Sequence, residues 1–309
     1  MHVRTAVETE ASGYETALAA ARVEVTQTGA GVGPNAILDI AYEHLNVASG
    51  SVGFPVIGRT TIGDDMMAVM LIVRSSPGSR WAGTDVRPGM LLAYGPGAQH
   101  YALSTPGLEY RFVLAERAAV ESKADELGRG ARLPARGASL LLSASPFTAD
   151  LRGLLRRVGR PGLADPALPR GEDEVLEALV SAFGGNGPGT GTRPRTTIDN
   201  REVVGTCVDL ADERRAIPRL GELCRAAHVS ERRLREAFYD VCGTGPNVFL
   251  RSHLLTVVRR RLQAPGAPAV SIVAGDLGFH HPSRFARQYA QLFGETPRET
   301  ARAAGADRD

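Results

Sequence analysis

The N-terminal half of the chain alternates between short apolar runs and turns. Residues 67–73 form an uninterrupted apolar run, and the apolar residues Leu108, Tyr110, Phe112 and Leu114 recur at every second position. Pro-Gly pairs separate such runs at intervals of about ten residues, and they begin at Pro77, Pro88, Pro96 and Pro106. An uninterrupted run suits a buried strand, and alternation is typical of strands in general. The pattern predicts an antiparallel sandwich or barrel over residues 23–115.

Two helical patterns follow the predicted strands. The first places Phe147, Leu151, Leu154, Leu155 and Val158 on one helical face, and the second contains Val175, Leu176, Leu179, Val180 and Phe183. Two interpretations stay open. Both helices pack back on the strands, or the exposed part of the first face pairs two protomers.

Residues 184–195 separate the chain into two parts. This segment contains five Gly and two Pro, so it can neither fill a core nor hold a helix. Random-coil scaling gives it a span of about 20 Å. We therefore predict a flexible linker between two separately folded parts.

The C-terminal part contains one apolar pattern twice. The first copy is Leu223, Val229, Leu234, Phe238, Gly243 and Pro246, and the second is Val273, Phe279, Phe285, Tyr289, Gly294 and Pro297. The offset is 50 residues for the first two pairs and 51 for the others, so the second copy has one more residue in its turn. Each copy reads as a helix-turn-helix unit, and two such units suggest a protein that binds DNA.

In the first copy we predict a scaffold helix over residues 219–227 and a turn at His228 and Val229. Ser230 is a suitable N-cap for the next helix, which buries Leu234 and Phe238. The exposed face of that helix carries Arg232, Arg235 and Glu236 near its N-terminal end, where a recognition helix meets base edges in the major groove.

In the second copy the scaffold helix contains Val273 and Ala274, and Gly278-Phe279 supplies the turn. The recognition helix begins at Pro282, whose missing N–H would have no helical partner at that position. The residues left to contact DNA are His281, Ser283, Arg284, Arg287 and Gln288. An arginine can bond bidentately to guanine or contact a phosphate, and the sequence leaves open which arginine does which.

A third helix is predicted between the two copies, from Pro246 to about Gln263. Its length of about 26 Å suits a strut that holds two recognition helices in successive major grooves, which lie roughly 34 Å apart. One monomer could then contact two adjacent groove segments.

The spacing of the second copy resembles a known family motif. A small residue (Ala274), three variable positions and Gly278-Phe279 precede Ser283-x-Phe285-x-Arg287, and Gly294-x-x-Pro297 ends the motif. Residues 196–303 resemble the DNA-binding domain of the AraC/XylS family of bacterial transcription regulators. The resemblance implies that Leu223, Val229, Leu234, Phe238, Ala274, Gly278, Phe279, Phe285 and Pro297 have structural roles in the two units. The chain departs from the family at His228, where Gly is frequent, and at Leu254, where Arg is common.

The segment from Arg87 to His100 is similar to the strand-turn-strand edge of cupin-like sensor domains, which often precede this DNA-binding domain. Metal-binding cupins use a His-x-His pair with a carboxylate and a further His, whereas only His44 and His100 lie in the predicted barrel region. Cys207, Cys224 and Cys242 are too far apart for a C-x-x-C site, so core packing explains them better. We therefore predict no metal and no cofactor.

Composition and charge agree with this organisation. A chain of 309 residues is long enough for two domains, and it contains no apolar run of the roughly 18 residues that cross a bilayer. Residues 195–309 carry 18 Arg against 14 acidic residues, and residues 1–194 carry 18 basic against 20 acidic residues. The difference is mild, and it supports a nucleic-acid partner only together with the repeat. We expect a cytoplasmic protein without a membrane partner.

The sequence thus predicts an α+β multidomain protein. A cupin-like β-barrel sensor domain (1–138) is followed by a helical dimerisation segment (139–183), the linker (184–195) and an all-α DNA-binding domain (196–309). The expected partners are double-stranded DNA, a second copy of the chain, a small-molecule effector and, for an activator, RNA polymerase. Two alternatives stay open: a cupin-type enzyme fused to a DNA-targeting domain, and a ligand-free dimerising regulator. The enzyme is disfavoured because residues 1–183 contain no Cys and no clustered His, so we expect no catalytic site.

Overall fold

The computed structural model describes residues 2–8, 21–30, 35–81, 84–160, 169–184 and 197–306. The predicted linker lies outside these residues except for Gly184, which caps the preceding helix. The α+β multidomain class is confirmed, because strands fill the N-terminal part and helices the C-terminal part.

The N-terminal strands pair into two antiparallel sheets. The strands are β1 (His2–Glu8), β2 (Ala21–Gln27), β3 (Asn35–Ala41), β4 (Leu45–Ser51), β5 (Val56–Ile62), β6 (Met66–Arg74), β7 (Arg80–Trp81), β8 (Thr84–Asp85), β9 (Leu91–Tyr94), β10 (Gln99–Ser104), β11 (Glu109–Glu116) and β12 (Ser139–Leu142). The seven-stranded sheet has the order β1-β3-β4-β11-β6-β9-β12, and the five-stranded sheet has the order β2-β5-β10-β7-β8.

The two sheets face one another across a shared core. Val25 of the five-stranded sheet packs in the same cluster as Ile72 and Phe112 of the seven-stranded sheet. Each sheet keeps two edge strands within the described residues, so the sheets are not closed into a barrel. This corrects the barrel prediction: the strands form two facing open sheets, the sandwich arrangement that the same sequence pattern allowed.

The seven-stranded sheet is covered on its other face by helices. These are α1 (Arg117–Glu126), α2 (Pro146–Arg157) and α3 (Glu172–Phe183). Val69 and Leu71 of β6 lie in one cluster with Leu151, Leu155 and Leu179 of these helices. Strand β6 is apolar at consecutive positions because both of its faces are buried, one against each layer.

The predicted stripe on α2 is mainly core. Leu151, Leu154, Leu155 and Val158 are buried inside the chain, whereas Phe147 keeps 51% of its surface exposed. The first of the two interpretations therefore describes most of this face. A dimerisation role for residues 139–183 stays a prediction, and it depends on exposed residues such as Phe147.

The C-terminal part consists entirely of helices among the residues described. They are α4 (Thr197–Arg214), α5 (Leu220–Ala226), α6 (Glu231–Cys242), α7 (Pro246–Gln263), α8 (Val270–Asp276), α9 (Pro282–Phe293) and α10 (Pro297–Ala306). Helix α7 has the bounds that the sequence predicts. The C-terminal part has two apolar cores, and side chains of α7 belong to both of them. Phe249 and Leu250 pack in the first lobe, the core formed with α4, α5 and α6. Leu254 and Val258 pack in the second lobe, the core formed with α8 and α9.

The outer face of the five-stranded sheet contacts the C-terminal helices. Ile57 of β5 and Tyr101 of β10 lie in one apolar cluster with Val204 and Phe238 of helices α4 and α6. Ion pairs surround this contact: Arg59 Nη1 lies 2.7 Å from Asp209 Oδ1, and Arg80 Nη2 lies 3.4 Å from Asp240 Oδ1. The N-terminal and C-terminal parts are therefore joined by packing as well as by the chain.

Candidate DNA-binding surface

The first helix-turn-helix unit consists of α5, a turn and α6. His228 in the turn has a φ of 53°, the left-handed conformation that favours Gly at this position. Ser230 caps α6, because its side-chain oxygen accepts a hydrogen bond from the backbone N–H of Arg233 at 3.3 Å. Leu223, Leu234 and Phe238 are fully buried.

The predicted DNA-contacting residues of this unit lie on the exposed face of α6. Arg232 Nε donates to Glu236 Oε1 at 2.9 Å, and Arg235 Nη2 donates to Glu231 Oε1 at 2.5 Å. The hydrogen bond that Arg232 donates to Glu236 raises the pKa of Arg232 above its usual value. Without DNA, both arginines are thus paired with carboxylates of their own helix, and each pair must open or share its charge before a phosphate or a base can bind.

The second unit consists of α8, a turn and α9. Gly278 in the turn has a φ of 79°, and a Cβ at this position would meet Ala216 Cβ at 3.2 Å. Phe279 packs on Phe285 with ring centroids 5.3 Å apart, and Ala274 is buried. Pro282 occupies the first turn of α9, as predicted, and His281 is its N-cap residue.

The end of this unit is fixed by the helix that follows. Gly294 ends α9 in the left-handed conformation with a φ of 77°, and Pro297 begins α10. The hydroxyls of Tyr289 and Thr300 are 2.8 Å apart in the interior. The Gly-x-x-Pro motif therefore turns the chain so that α10 packs on the recognition helix.

The outer face of α9 presents the second set of predicted DNA contacts. Ser283, Arg284 and Arg287 are exposed, and Gln288 is partly exposed. His281, Arg284 and Gln288 line a cleft between α9 and α7, together with Arg251 of α7. The described residues that line this cleft include no carboxylate, which makes it a suitable surface for a phosphate.

Arg251 is a candidate contact that the sequence analysis does not identify. Burial and then the nearby charge of Arg284 lower the pKa of the Arg251 guanidinium. A phosphate between the two cations would offset their repulsion. The only signal in the sequence is a basic residue directly after Leu250 in the helix predicted from Pro246, and such residues are usually ordinary solvated side chains.

The basic residues at the end of α7 have structural contacts. Arg259 is buried, its guanidinium lies 3.1 Å from Glu295, and it stacks over the Phe293 ring at 4.7 Å. Arg261 pairs with Asp276 at 3.1 Å. These two arginines connect α7 to the second unit, so the run Arg259-Arg260-Arg261 does not form one exposed basic patch.

For the described residues, the sequence predicts neither a metal site nor a membrane-spanning helix. These residues contain no group of three or more His, Cys, Asp or Glu side chains that could hold a metal ion. His100 lies within strand β10, buried and stacked on Tyr94 with ring centroids 4.3 Å apart. In the part of the chain that the structure describes, no helix is long and apolar enough to span a membrane.

Comparison with known proteins agrees with the geometry of the C-terminal helices. A family model described as a helix-turn-helix domain matches residues 223–303. The XylDLEGF operon transcriptional activator 1 of Pseudomonas putida is 39% identical over 89 residues, which cover 28% of this chain and 26% of the relative. Activator 2 of the same operon is 40% identical over 83 residues, 26% of this chain and 53% of that protein. The chain thus spans about a quarter of the length of the first relative.

Solved structures show likenesses of low score. A transcriptional regulator of Chromobacterium violaceum with an AraC-type DNA-binding domain has 21% identity and a TM-score of 0.32, covering 35% of this chain and 96% of that chain. The AraC-like transcriptional activator CuxR has 14% identity and a TM-score of 0.35, covering 83% of this chain and 95% of that chain. Scores of this size do not establish a common overall fold.

The C-terminal helices thus form two helix-turn-helix units in tandem. They resemble the AraC/XylS type that the sequence motif predicts, since the family model and the XylDLEGF operon activators both match this part of the chain. The shared identity is confined to this part of the chain.

Proposed function

We propose that this protein is a sequence-specific transcription regulator that binds double-stranded DNA through both helix-turn-helix units. The observation that carries the proposal is that exposed basic faces on α6 and α9 are joined by the single helix α7, whose side chains pack into both lobes. Phosphate contacts would set affinity, and a few arginines and polar side chains would select the sequence. The relatives named as operon activators support an activating role, in which RNA polymerase would be a partner.

The proposal is tested by selecting bound fragments of genomic DNA with the purified full-length chain. We expect a reproducible sequence preference and an affinity that falls steeply with salt, since each neutralised phosphate releases a counterion. Binding with no preference among fragments would leave only a nonspecific DNA-binding protein. The genes beside the selected fragments would identify the regulated pathway.

We further propose that the N-terminal sheets form an effector-responsive domain of a cytoplasmic homodimer. The five-stranded sheet supports this proposal because one of its faces lines a cavity and its other face contacts the C-terminal helices. His100, Ala102 and Ser104 line a cavity on its inner face, and Tyr101 and Leu103 between them face the C-terminal helices. A ligand on the inner face could therefore displace strands that contact the DNA-binding domain, provided that it binds one arrangement more tightly.

Hydrogen bonds from strand β2 reach helices α7 and α9 of the C-terminal part. Thr26 Oγ1 lies 3.1 Å from His253 Nδ1 on α7. The buried Gln27 side chain donates from Nε2 to the backbone oxygen of Leu292 at 3.0 Å, near the end of the recognition helix α9. The same strand also lines the cavity through Val23 and Val25.

The coupling can be tested at the Arg59–Asp209 pair. Arg59→Glu places a carboxylate beside Asp209 and Glu24, so we expect it to weaken the contact between the two parts and to split thermal unfolding into two calorimetric transitions. The second change, Asp209→Arg, should restore a single transition. We expect the DNA affinity of the full chain to change in the single variant and to recover in the double variant.

The proposal that the two parts are coupled would be wrong if the DNA affinity stayed constant in both variants although thermal unfolding had split into two transitions. The two alternatives have separate signatures. Turnover of a small molecule would favour an enzyme fused to a DNA-targeting domain, and dimerisation without any ligand binding would favour a ligand-free regulator.

A further inference from the structure

A cavity lies between the two sheets of the N-terminal part. Its lining is mostly apolar and includes Val25, Val56, Met70, Ala102, Phe112 and Leu114. The cavity has a volume of about 80 Å³. An apolar cavity of about 150 Å³ is large enough for benzene. The present cavity therefore accepts only a smaller molecule unless a lining side chain moves. Met70 is unbranched and partly exposed, which makes it the lining residue best able to adjust.

Two buried polar atoms in this lining have no hydrogen-bond partner among the residues that the structure describes. They are Nε1 of Trp81, which is 4% exposed, and Nδ1 of His100, which is 3% exposed. The two rings are neighbours, with centroids 5.7 Å apart. Buried polar atoms are nearly always paired in folded proteins, so two orphaned atoms beside one cavity indicate that a bound molecule supplies the partner.

None of the described residues that line the cavity carries a formal charge. Its polar side chains are hydroxyls, the indole of Trp81 and the imidazole of His100. Burial, and then the charge of Arg201, lower the pKa of His100 to about 3, so the imidazole is neutral at physiological pH. Arg201 belongs to α4 and donates from Nη1 to the backbone oxygen of Gln99 at 2.7 Å, outside the lining. An anion in the cavity would lose its hydration without gaining an ion pair.

We propose that this cavity binds an uncharged small molecule with an apolar body and a carbonyl or hydroxyl oxygen. The oxygen accepts a hydrogen bond from Trp81 Nε1, since an indole nitrogen can only donate, and a neighbouring polar group of the ligand pairs with His100 Nδ1. The inference rests on the proposed regulator for its biological purpose, but the binding itself can be measured without DNA.

The experiment compares probes of matched shape and different charge on the full-length chain. Acetamide and propionamide are neutral, and acetate and propionate are their anionic counterparts of similar size. We expect at least one amide to raise the melting temperature by about 3–6 °C at ten times its dissociation constant, and the carboxylates to have little effect. Equal or greater stabilisation by the carboxylates, or no stabilisation by either amide, would overturn the proposal.

Two variants test the location of the site. Gly58 of β5 lines the cavity, and a Cβ there would meet no atom within 4 Å, so Gly58→Val fills the cavity without a backbone clash. Trp81→Phe keeps an aromatic ring and removes the N–H donor. Both should abolish the shift caused by amides, whereas Gly221→Ala, at an open glycine in α5, should leave it unchanged. A shift that persisted in Gly58→Val would place the ligand elsewhere.

Failure of the regulator proposal would look different. If the amides stabilise the chain but the chain selects no DNA, the cavity proposal stands and the proposed function fails. If the chain selects DNA and no amide binds, the opposite holds.

Discussion

Arg284→Ala is expected to weaken binding of the full chain to its selected DNA about 5- to 150-fold, or 1–3 kcal/mol, if Arg284 contacts a base. Arg284 is exposed on α9 and shares a carboxylate-free cleft with Arg251, so a bound phosphate or base edge would be its main partner. A base contact would relax the preference at one position. A phosphate contact would weaken all sequences alike and reduce the salt dependence.

Arg232→Ala is the companion change on α6. Because α6 and α9 are expected in successive grooves, footprinting should place the two effects in different halves of one site. The Arg232 effect should be smaller than that of an unpaired arginine, since Glu236 already occupies its guanidinium. If both changes altered protection of the same base pairs, the two-groove arrangement would be wrong.

Arg136→Ala is a matched control for both changes. Arg136 is exposed and paired with Asp64 at 2.6 Å in the N-terminal part, so the variant removes the same charge far along the chain from the recognition helices. We expect its DNA affinity to remain within about twofold of the unmodified chain. An equal loss in this control would attribute the effects to net charge rather than to a contact.

Leu151→Glu is expected to unfold the N-terminal part rather than separate protomers. Leu151 is fully buried between α2 and the seven-stranded sheet, so the change removes a packed side chain and buries a carboxylate without a partner. The two effects together should cost about 4 kcal/mol or more, a large part of the 5–15 kcal/mol that stabilises a typical domain. Thermal melting followed by circular dichroism should show the loss, and Leu155→Glu should behave in the same way.

Phe147→Glu is the matched variant on the same helix. Phe147 is 51% exposed, so a glutamate there can stay hydrated and should leave the melting temperature nearly unchanged. Light scattering on this variant tests the predicted dimerisation segment: a folded monomer would support an interface at this end of α2. A normal melt for Leu151→Glu would contradict the packing described for α2.

The helix-turn-helix units were predictable because their information is local. The positions of Leu234 and Phe238, the cap at Ser230 and the turn at Gly278 depend on helical spacing and backbone conformation within about twenty residues. The bounds of α7 could be predicted for the same reason, since Pro246 begins it and its apolar positions continue to Leu262. His228 was a departure from the family, and its left-handed φ shows that the turn is kept without Gly.

The partner of each apolar surface could not be predicted from spacing. The α2 stripe has the same pattern whether it covers a sheet or a second protomer, and only the position of the seven-stranded sheet places Leu151 inside. Whether the strands close into a barrel likewise depends on hydrogen bonds between distant strands, such as β2 with β5, which the residue pattern does not specify.

The sequence by itself determined the local elements of this protein: the strands and their turns, the repeated helix-turn-helix units, their basic faces and the helix between them. The tertiary structure alone decided which surfaces meet. It brought Arg251 beside Arg284 and placed the five-stranded sheet between a cavity and the C-terminal helices. It also left Trp81 Nε1 and His100 Nδ1, beside that cavity, without a partner among the described residues. The physical reason is that periodicity fixes which face of an element is buried, whereas the identity of its neighbour depends on packing between residues far apart in the chain.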